Sequence, residues 1–324
     1  MALRLPDKWI WDFWLAKDGP DYHIFYLQAD RSLGDPELRH WHPTIGHAVS
    51  PDLRNWRCLS DALAPSDDEE AWDSYTTWTG SVIAHEGAWY MFYTGSSRAE
   101  DGLVQRVGLA TSADLVNWTK HPDNPLIQAD PSLYELLDLT LWHDQAWRDP
   151  WILCDPQTGD FHAFITARVN YGSADSRGVI AHARSTDLVH WDVLDPVTAP
   201  GEFGQMEVPQ VINIGKRWYL LFCTASSHYS AYRRTRSPIS PVTGTHYLVA
   251  DNPLGPFHYE TDDFLVGDAR GLLYSGKLIQ GPNGGWVFMA FVRERQDGTF
   301  GGEIIDPLPV TVTAAGVLNV EKGW

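Results

Sequence analysis

The 324-residue sequence contains only three cysteines, and none of them lies in a CxxC pair. An odd number of cysteines at scattered positions (Cys58, Cys154 and Cys223) argues against both a disulfide framework and a structural zinc site. Ligand-type residues elsewhere in the chain do not show metal-like spacing. The sequence therefore predicts neither a metal ion nor an organic cofactor.

The sequence also lacks an apolar run long enough to span a bilayer, and residues 1–7 contain no apolar segment of the signal-peptide kind. Positive charge is scarce, because 24 Lys and Arg stand against 42 Asp and Glu, for a formal net charge of −18. No basic patch offsets this charge, so we expect no binding to nucleic acid or to anionic membranes. We expect a cytoplasmic protein whose oligomeric state the sequence leaves open.

Sustained helical periodicity is absent, which argues against a βαβ fold. Instead, short aromatic runs typical of β-strands recur five times, most of them directly after a Gly-containing turn. These runs lie at 22–27, 88–93, 160–165, 217–222 and 285–290. Another apolar run precedes each of them, at 10–16, 79–84, 150–154, 208–214 and 275–280.

A second phrase follows the first four aromatic runs: a strand, a Ser/Asp turn, and a strand ending in Trp. It occupies 47–56, 108–118 and 181–191, and in degenerate form 247–257. Four strands per unit and five units predict an all-β fold, a five-bladed β-propeller with four antiparallel strands per blade. We expect one domain over 1–324 without a C-terminal β-sandwich, with blades at roughly 9–64, 76–121, 147–195, 205–260 and 272–320.

The innermost strands of a propeller all begin at one rim, so the residues at these starts share one mouth. At positions that we treat as equivalent, the five starts carry Asp12, Thr79, Asp149, Glu207 and Ser275. Three like charges around a narrow channel are costly, which favours a catalytic role over a structural one. Glycoside hydrolysis requires such carboxyl groups, one protonated and one ionised. Arg148 is the candidate cation that holds some of them ionised.

The sequence resembles glycoside hydrolase family 32, the invertase, levanase and inulinase group, over the whole predicted propeller. The resemblance is carried by residues 46–56 with 62–65, by Trp78-Thr79-Gly80-Ser81, by Arg148-Asp149-Pro150, and by Glu207 with Pro209. It implies a nucleophile at Asp12, a transition-state stabiliser at Asp149 and an acid/base at Glu207. Trp78 and Thr79 would line the −1 subsite.

Three residues depart from the motifs of that family. Trp11 stands where the family usually has an Asn that touches the sugar, Phe13 replaces a Pro, and Val208 replaces a Cys. Trp41 is the residue that we expect to stack on the substrate. The complete set of predicted substrate-binding residues is Trp11, Trp41, Trp78, Thr79, Arg148, His228 and Tyr274.

Several loops are expected at the same rim. The loop 38–45 contributes Arg39, His40, Trp41 and His42, and the second strands are expected to end at Arg98, Arg168, His228 and Arg293. The insert 122–146 and the loop 228–245 are expected to wall the pocket. We interpret the arginines of the second loop (Arg233, Arg234 and Arg236) as solvated rather than as a site for an anionic substrate.

These features favour a retaining, β-fructofuranosidase-like glycoside hydrolase that acts on sucrose or short fructo-oligosaccharides, with transglycosylation left open. One alternative is an inverting arabinan- or xylan-type furanosidase resembling family 43, whose two carboxyl groups would lie about 6.5–9.5 Å apart rather than about 5–5.5 Å. A phosphorolytic relative is another. A sugar-binding propeller without enzymatic activity is the alternative of a different class.

Overall fold

The computed structural model describes residues 2–321, so residue 1 and residues 322–324 of the predicted domain lie outside the described residues. Within 2–321 the chain forms five separate four-stranded antiparallel sheets, and in each sheet the strands follow one another in sequence order. This architecture is a five-bladed β-propeller, which confirms the predicted fold class.

The strands of the five blades have the following bounds. Blade I contains β1 (Lys8–Asp18), β2 (Asp21–Asp30), β3 (Thr44–Ser50) and β4 (Arg57–Cys58). Blade II contains β5 (Thr76–His85), β6 (Ala88–Ser96), β7 (Gln105–Ser112) and β8 (Thr119–Lys120). Blade III contains β9 (Trp147–Cys154), β10 (Phe161–Arg168), β11 (Gly178–Ser185) and β12 (Asp192–Leu194). Blade IV contains β13 (Glu207–Ile214), β14 (Arg217–Thr224), β15 (Thr243–Ala250) and β16 (Val266–Asp268). Blade V contains β17 (Leu273–Gln280), β18 (Trp286–Val292), β19 (Leu308–Val312) and β20 (Leu318–Val320).

Helices are few and short in the described part of the chain. The α-helix α1 covers Ala231–Arg236, and the 3₁₀ segments are Arg31–Leu33, Pro36–Trp41, Arg98–Glu100, Ala174–Ser176 and Ser226–His228. Among residues 2–321, none of the helices has the length and hydropathy needed to cross a membrane.

The recurring Ser/Asp phrase forms the turn between the third and fourth strands of a blade. Asp52 accepts hydrogen bonds at 2.9 and 2.7 Å from the backbone N–H groups two and three residues further on. Leu53 is fully buried with a φ of 61°, a strained conformation for leucine that these bonds and the burial offset. Asp114 and Asp187 make the same contacts. The tryptophan of each phrase lies just before the fourth strand, not at its end as predicted.

Blade IV departs from the predicted boundaries. Its fourth strand lies at Val266–Asp268, beyond the predicted end at 260. In the degenerate phrase of this blade Asn252 replaces the Asp and accepts from the backbone N–H of Leu254 at 3.1 Å. The phrase also contains Pro253 and Pro256, and the chain does not form the tight hairpin of the first three blades. Only an isolated bridge between Val249 and His258 occupies the expected place of the fourth strand.

The hydrophobic core consists of four clusters at the junctions of neighbouring blades. The largest cluster surrounds blade I and reaches into blades II and V, and the others join blades II to III, III to IV and IV to V. The N-terminal segment is tied to blade V, because Leu3 and Ile304 exchange backbone hydrogen bonds at 2.9 and 3.0 Å. The packing of blades against one another leaves the innermost strands around a shared channel.

Candidate active site

Each innermost strand carries a β-bulge near its start, where its pairing with the second strand breaks. The last paired residues before the five bulges are Trp11, Trp78, Arg148, Glu207 and Tyr274. The residues that follow them are Asp12, Thr79, Asp149, Val208 and Ser275. All of these except Ser275 line one cavity. Bulges re-aim side chains and are common next to active sites, and here they present two residues from almost every blade to the mouth.

The register corrects one sequence expectation. Glu207 occupies the place that Arg148 has in blade III, one residue before the position of Asp149. The assumption that the three acids hold equivalent positions is therefore wrong for Glu207. Val208 takes the position of Asp149, and both residues have a positive φ, 53° and 59°. Each is followed by a proline, so aligning these two prolines in the sequence gives the correct register.

Arg148 is the buried cation of the site. Its Nη2 donates to Glu207 Oε1 at 2.9 Å, and its Nη1 donates to Asp144 Oδ2 at 3.0 Å and to Gln105 Oε1 at 2.9 Å. Its Nε lies 3.8 Å from Asp149 Oδ2. Burial opposes ionisation, but Asp144, Glu207 and Asp149 raise the pKa of the guanidinium above its usual value. Arg148 thus places one positive charge among the carboxylates of Asp144, Asp149 and Glu207.

Glu207 is bound on both of its carboxyl oxygens. Besides Arg148, the Tyr274 hydroxyl donates to Oε2 at 2.5 Å. Burial by itself raises the pKa of this carboxyl, yet Arg148, the nearby His228 and the hydrogen bond from Tyr274 together hold its pKa below the ordinary value for glutamate. Glu207 is therefore ionised in the free protein at neutral pH.

Asp149 is buried and accepts two hydrogen bonds on one oxygen. Thr166 Oγ1 donates to Oδ2 at 2.9 Å, and the backbone N–H of Val208 donates to the same oxygen at 3.1 Å. Burial raises the pKa of Asp149 although Arg148 opposes the shift. The carboxyl group is rigid, because both bonds come from neighbouring strands of the propeller.

Asp12 has the weakest polar support of the three acids. Thr79 Oγ1 donates to its Oδ2 at 3.1 Å, and neither arginine nor lysine forms an ion pair with it in the described part of the chain. Burial, followed by repulsion from Asp149 and Glu207, raises the pKa of Asp12 to about 7. Asp12 thus holds a proton up to neutral pH while Glu207 does not.

Aromatic side chains form one side of the cavity, which has a volume of about 450 Å³. We call this cavity the aromatic lobe; it is lined by Trp11, Trp41 and Trp78 and contains all three acids. Trp41 stacks on Tyr75 with ring centroids 5.4 Å apart, and Trp78 Nε1 donates to the backbone carbonyl of His40 at 2.9 Å. These contacts fix the rings, and their faces suit the apolar faces of a sugar.

A second cavity of about 710 Å³ adjoins the first and shares Trp11, Asp12, Glu37, His40, Glu207 and Tyr274 with it. We call it the arginine lobe, because Arg31, Arg39, Arg293 and Arg295 line it. Two carboxylates outside the acid cluster, Glu37 and Glu294, also line it. Among residues 2–321, Arg31 forms no ion pair with a carboxylate, and its Nη2 and Arg39 Nε have no hydrogen-bond acceptor. Arg39, Arg293 and Arg295 form ion pairs with Glu37, Glu294 and Glu303. In the described part of the chain, the positive charge of this lobe without an ion pair is therefore that of Arg31.

A family model described as the N-terminal domain of glycosyl hydrolases family 32 matches residues 14–294. The chain belongs to glycosyl hydrolase family 32. The matched range begins two residues after Asp12, so the candidate role of that carboxylate depends on the geometry of the mouth.

Curated relatives of this family 32 chain include the sucrose:sucrose 1-fructosyltransferase of Festuca arundinacea, which is 31% identical over 53% of this chain and 24% of the relative. The sucrose-6-phosphate hydrolase of Escherichia coli is 25% identical over 77% of this chain and 50% of the relative. The chain thus spans between about a quarter and a half of the length of these relatives.

Solved structures share the fold of this family 32 chain. The inulosucrase from Halalkalicoccus jeotgali, solved with kestose, has a TM-score of 0.78 at 19% identity, over 98% of this chain and 87% of that one. A family 32 β-fructofuranosidase from Bombyx mori has a TM-score of 0.71 at 20% identity, over 99% of this chain and 64% of that one. At these identities the likeness establishes the propeller and no more.

Most of the residues predicted for the family 32 site meet in the aromatic lobe: Asp12, Asp149, Glu207, Trp11, Trp41, Trp78, Thr79, Arg148 and Tyr274. His228 does not line either lobe. It lies in the 3₁₀ segment after β14 and packs beside Trp142, with ring centroids 5.7 Å apart. The sequence predicted His228 among the substrate-binding residues, but its side chain lies outside both lobes. Burial lowers the pKa of its imidazole below the usual value. Of the second strands, β10 ends at Arg168 as expected. The strands β6, β14 and β18 end earlier than expected, at Ser96, Thr224 and Val292.

The arginines of loop 228–245 line neither lobe. Arg234 and Arg236 are exposed, in agreement with the sequence interpretation, whereas the burial of Arg233 corrects it. All three lie on α1, and Arg233 is fully buried with Glu202 at 3.0 Å and Asp262 at 3.3 Å. Arg236 binds the same two carboxylates. Arg234 donates to backbone carbonyls. The cluster anchors α1 to the loops beside it.

Sequence reasoning missed three polar residues of the site. Asp144 fixes Arg148 from the insert, four residues earlier in the chain, and Gln105 binds both of these side chains from β7. Glu37 pairs with Arg39 at 2.9 Å at the border of the two lobes. The insert and the loop 38–45 were expected at the rim, but nothing in the sequence marked these residues. Among residues 2–321, no group of three or more His, Cys, Asp or Glu side chains is arranged to hold a metal ion.

Proposed function

We propose that this protein is a retaining β-fructofuranosidase that acts on sucrose or short fructo-oligosaccharides. The observation that supports this proposal most directly is the convergence of Asp12, Asp149 and Glu207 on one cavity beside the buried Arg148. Glycosyl transfer requires one carboxylic acid and one carboxylate at the scissile bond. A cavity of about 450 Å³ is within the range of small-ligand sites.

In the proposed first step an oxygen of Asp12 attacks the anomeric carbon, while Glu207 transfers its proton to the glycosidic oxygen and the bond to the leaving sugar breaks. Asp149, held by Thr166 and the backbone of Val208, binds ring hydroxyls as positive charge develops on the sugar. In the second step Glu207 takes a proton from water, and the water oxygen displaces Asp12 from the anomeric carbon. A sugar hydroxyl in place of water gives transglycosylation.

The protonation states of the acids at the mouth limit the pH range in which this reaction can occur. Asp12 and Glu207 repel each other and titrate as a pair that holds one proton near neutral pH. In the free protein the proton resides on Asp12, whereas the reactive form carries it on Glu207. Both forms have the same net charge, so their ratio does not change with pH. The glycosidic oxygen of a bound substrate supplies Glu207 with an acceptor for the proton and favours the reactive form.

The pH dependence follows from this shared proton. We expect kcat/KM to fall as pH rises through about 7, because the pair then loses its last proton and the leaving oxygen is no longer protonated. We expect the acidic limb to lie below the ordinary range of a glutamate, because the pKa of Glu207 is lowered. Initial rates measured from about pH 3 to about pH 10 test this. An alkaline limb above about pH 9 would contradict the shared proton.

The arginine lobe adds one candidate substrate. It shares Asp12, Glu207 and Tyr274 with the aromatic lobe, and we assign the leaving sugar to it. Guanidinium groups bind phosphate oxygens well, and the similar protein from Escherichia coli carries the name sucrose-6-phosphate hydrolase. Sucrose 6-phosphate therefore belongs beside neutral sucrose among the substrates to be tested.

The proposed function is tested with purified protein on sucrose, 1-kestose, sucrose 6-phosphate and an aryl α-L-arabinofuranoside, with methanol added to a parallel set of reactions. We expect fructose from at least one fructoside, and methyl β-D-fructofuranoside when methanol is present, because a covalent intermediate passes to methanol with retention. The variant Glu69→Gln, at an exposed position, is the control for effects of expression and purification on activity.

Other products would point to the alternatives. Release of arabinose alone would reject the fructosidase and favour the inverting furanosidase, which forms no methyl glycoside. A product whose release requires inorganic phosphate would indicate phosphorolysis. No turnover of any substrate, together with binding of a sugar, would favour a non-enzymatic sugar-binding propeller.

A further inference from the structure

Lys277 is a buried cation in the channel of the propeller. It lies on β17 three residues after Tyr274, and it is 3% exposed. Its Nζ donates to the backbone carbonyls of Val208 at 2.8 Å and Pro209 at 3.1 Å. No carboxylate in the described part of the chain forms an ion pair with it. A buried ammonium group without a paired anion is expensive, so stability alone does not account for a lysine at this position.

The two carbonyls that Lys277 binds belong to the bulge that presents Glu207. Val208 is β-branched and has a φ of 53°, a conformation that costs free energy for such a residue. Its N–H is held from blade III by Asp149 Oδ2 at 3.1 Å and Thr166 Oγ1 at 3.2 Å. Its C=O is held from blade V by Lys277. The bulge is therefore fixed from both neighbouring blades.

Lys277 also faces the acid cluster from the side opposite the mouth. It lines a small cavity toward the other end of the channel, with Trp14, Lys17 and Trp151 among the other residues. The titratable groups that act on its charge are Cys223, Asp149 and Asp12. Burial lowers the pKa of Lys277 to about 8 despite these groups, so the ammonium form prevails at neutral pH.

We propose that Lys277 is a positioning residue for the catalytic carboxyl groups: it fixes the bulge at 208–209 that orients Glu207, and it supplies the positive charge that balances Asp12 and Asp149 from within the channel. This inference rests on the proposed function for its kinetic consequences. Its structural part, the dependence of the Glu207 bulge on an amine in the neighbouring blade, stands independently of any substrate.

Two substitutions separate the two contributions of Lys277. Lys277→Met keeps the length of the side chain and removes both the charge and the donor, whereas Lys277→Gln removes the charge and keeps an N–H donor. Lys17→Met removes one positive charge from an exposed lysine at the far end of the same channel and is the matched control. All three variants have the same net charge, so a difference between them reflects position.

We expect both Lys277 variants to shift the alkaline limb of kcat/KM to higher pH by at least about half a unit, because loss of a nearby cation raises the pKa of the acid pair. We expect kcat to fall about tenfold or more in Lys277→Met and less in Lys277→Gln, with KM changed little, since a displaced Glu207 affects the transition state more than the bound substrate. Lys17→Met should leave both the limb and kcat unchanged.

A crystal structure of Lys277→Met gives a readout that does not require activity. We expect the 208–209 peptide to turn and the contacts of Glu207 with Arg148 and Tyr274 to lengthen or break.

If wild-type protein turns over none of the fructosides, the proposed function fails, and this structure alone decides the positioning role. An intact bulge with an unchanged pH profile would overturn the proposal. Lower kcat without a shift of the limb would overturn the role of the charge. Should Lys277→Met not fold, the same measurements on Lys277→Gln decide.

Discussion

Replacing Asp12 with Asn is expected to lower the turnover of a fructoside by at least about 10⁴-fold, the size of loss typical of a catalytic nucleophile. The amide cannot form the covalent bond to the anomeric carbon. It also cannot hold the proton that Asp12 shares with Glu207 in the free protein. KM should change little, because Asp149, Arg148 and the aromatic lobe still hold the sugar. Single-turnover and steady-state rates on sucrose provide the measurement.

The same substitution is expected to stabilise the fold. In the native protein burial and the neighbouring acids raise the pKa of Asp12 to about 7, from the ordinary value of 3.8. The native state thus binds a proton that the unfolded chain has already lost, so the free energy of unfolding falls as pH rises between these two values and stays low above them. The asparagine side chain of Asp12→Asn does not ionise, which removes this loss. We expect the melting temperature to rise by about 2–5 °C at pH ~8 and less at pH ~4.

The control for Asp12→Asn is Asp123→Asn, which removes the charge of an exposed side chain on the insert. It should alter neither the rate nor the melting temperature. Full activity of Asp12→Asn would refute the nucleophile role and would leave the convergence of three acids without an explanation. Loss of activity with a strongly lowered melting temperature would also count against it, because the structure assigns Asp12 no stabilising ion pair.

The five-bladed fold could be predicted because its information is local and repeated. The aromatic second strands alternate with turns at a regular spacing, and the Asp of each Ser/Asp turn binds the backbone N–H groups of its own turn. Each of these features needs only a few neighbouring residues. Blade IV shows the limit of such reasoning: its phrase contains Asn252, Pro253 and Pro256 in place of the Ser/Asp turn, and its fourth strand lies beyond the predicted end of the blade.

The site could be predicted in part. The acids and Arg148 lie at strand starts, so topology places them in one mouth without knowledge of their contacts. The strand register and the contacts between distant residues were not predicted. Counting from the strand starts puts Glu207 level with Asp149, whereas the pairing of the strands puts it level with Arg148. The guanidinium group of Arg148 is held by Gln105, which is 43 residues away in the chain. Lys277 lies within an apolar run, and its sequence context does not reveal that it crosses to another blade.

Glu207→Gln should lower the hydrolysis of sucrose by about 10³-fold or more, since the leaving glucose oxygen departs poorly without a proton. An aryl β-fructofuranoside should lose far less in the first step, because a phenolate leaves without help. Its turnover is then limited by the second step, in which Glu207 activates water. The expected signature is a burst of phenol followed by slow release of fructose. Glu69→Gln, at an exposed position, should behave like the wild-type protein.

Added azide separates the roles of the two acids. Azide needs no general base, so with Glu207→Gln it should restore turnover of the aryl fructoside and yield β-fructosyl azide, the product of two inversions at the anomeric carbon. With Asp12→Asn no covalent intermediate forms, so azide should not restore turnover to β-fructosyl azide. The opposite pattern would exchange the roles of Asp12 and Glu207, in agreement with their proton distribution in the free protein. Because the pair shares one proton, only the covalent bond, and not the resting ionisation, identifies the nucleophile.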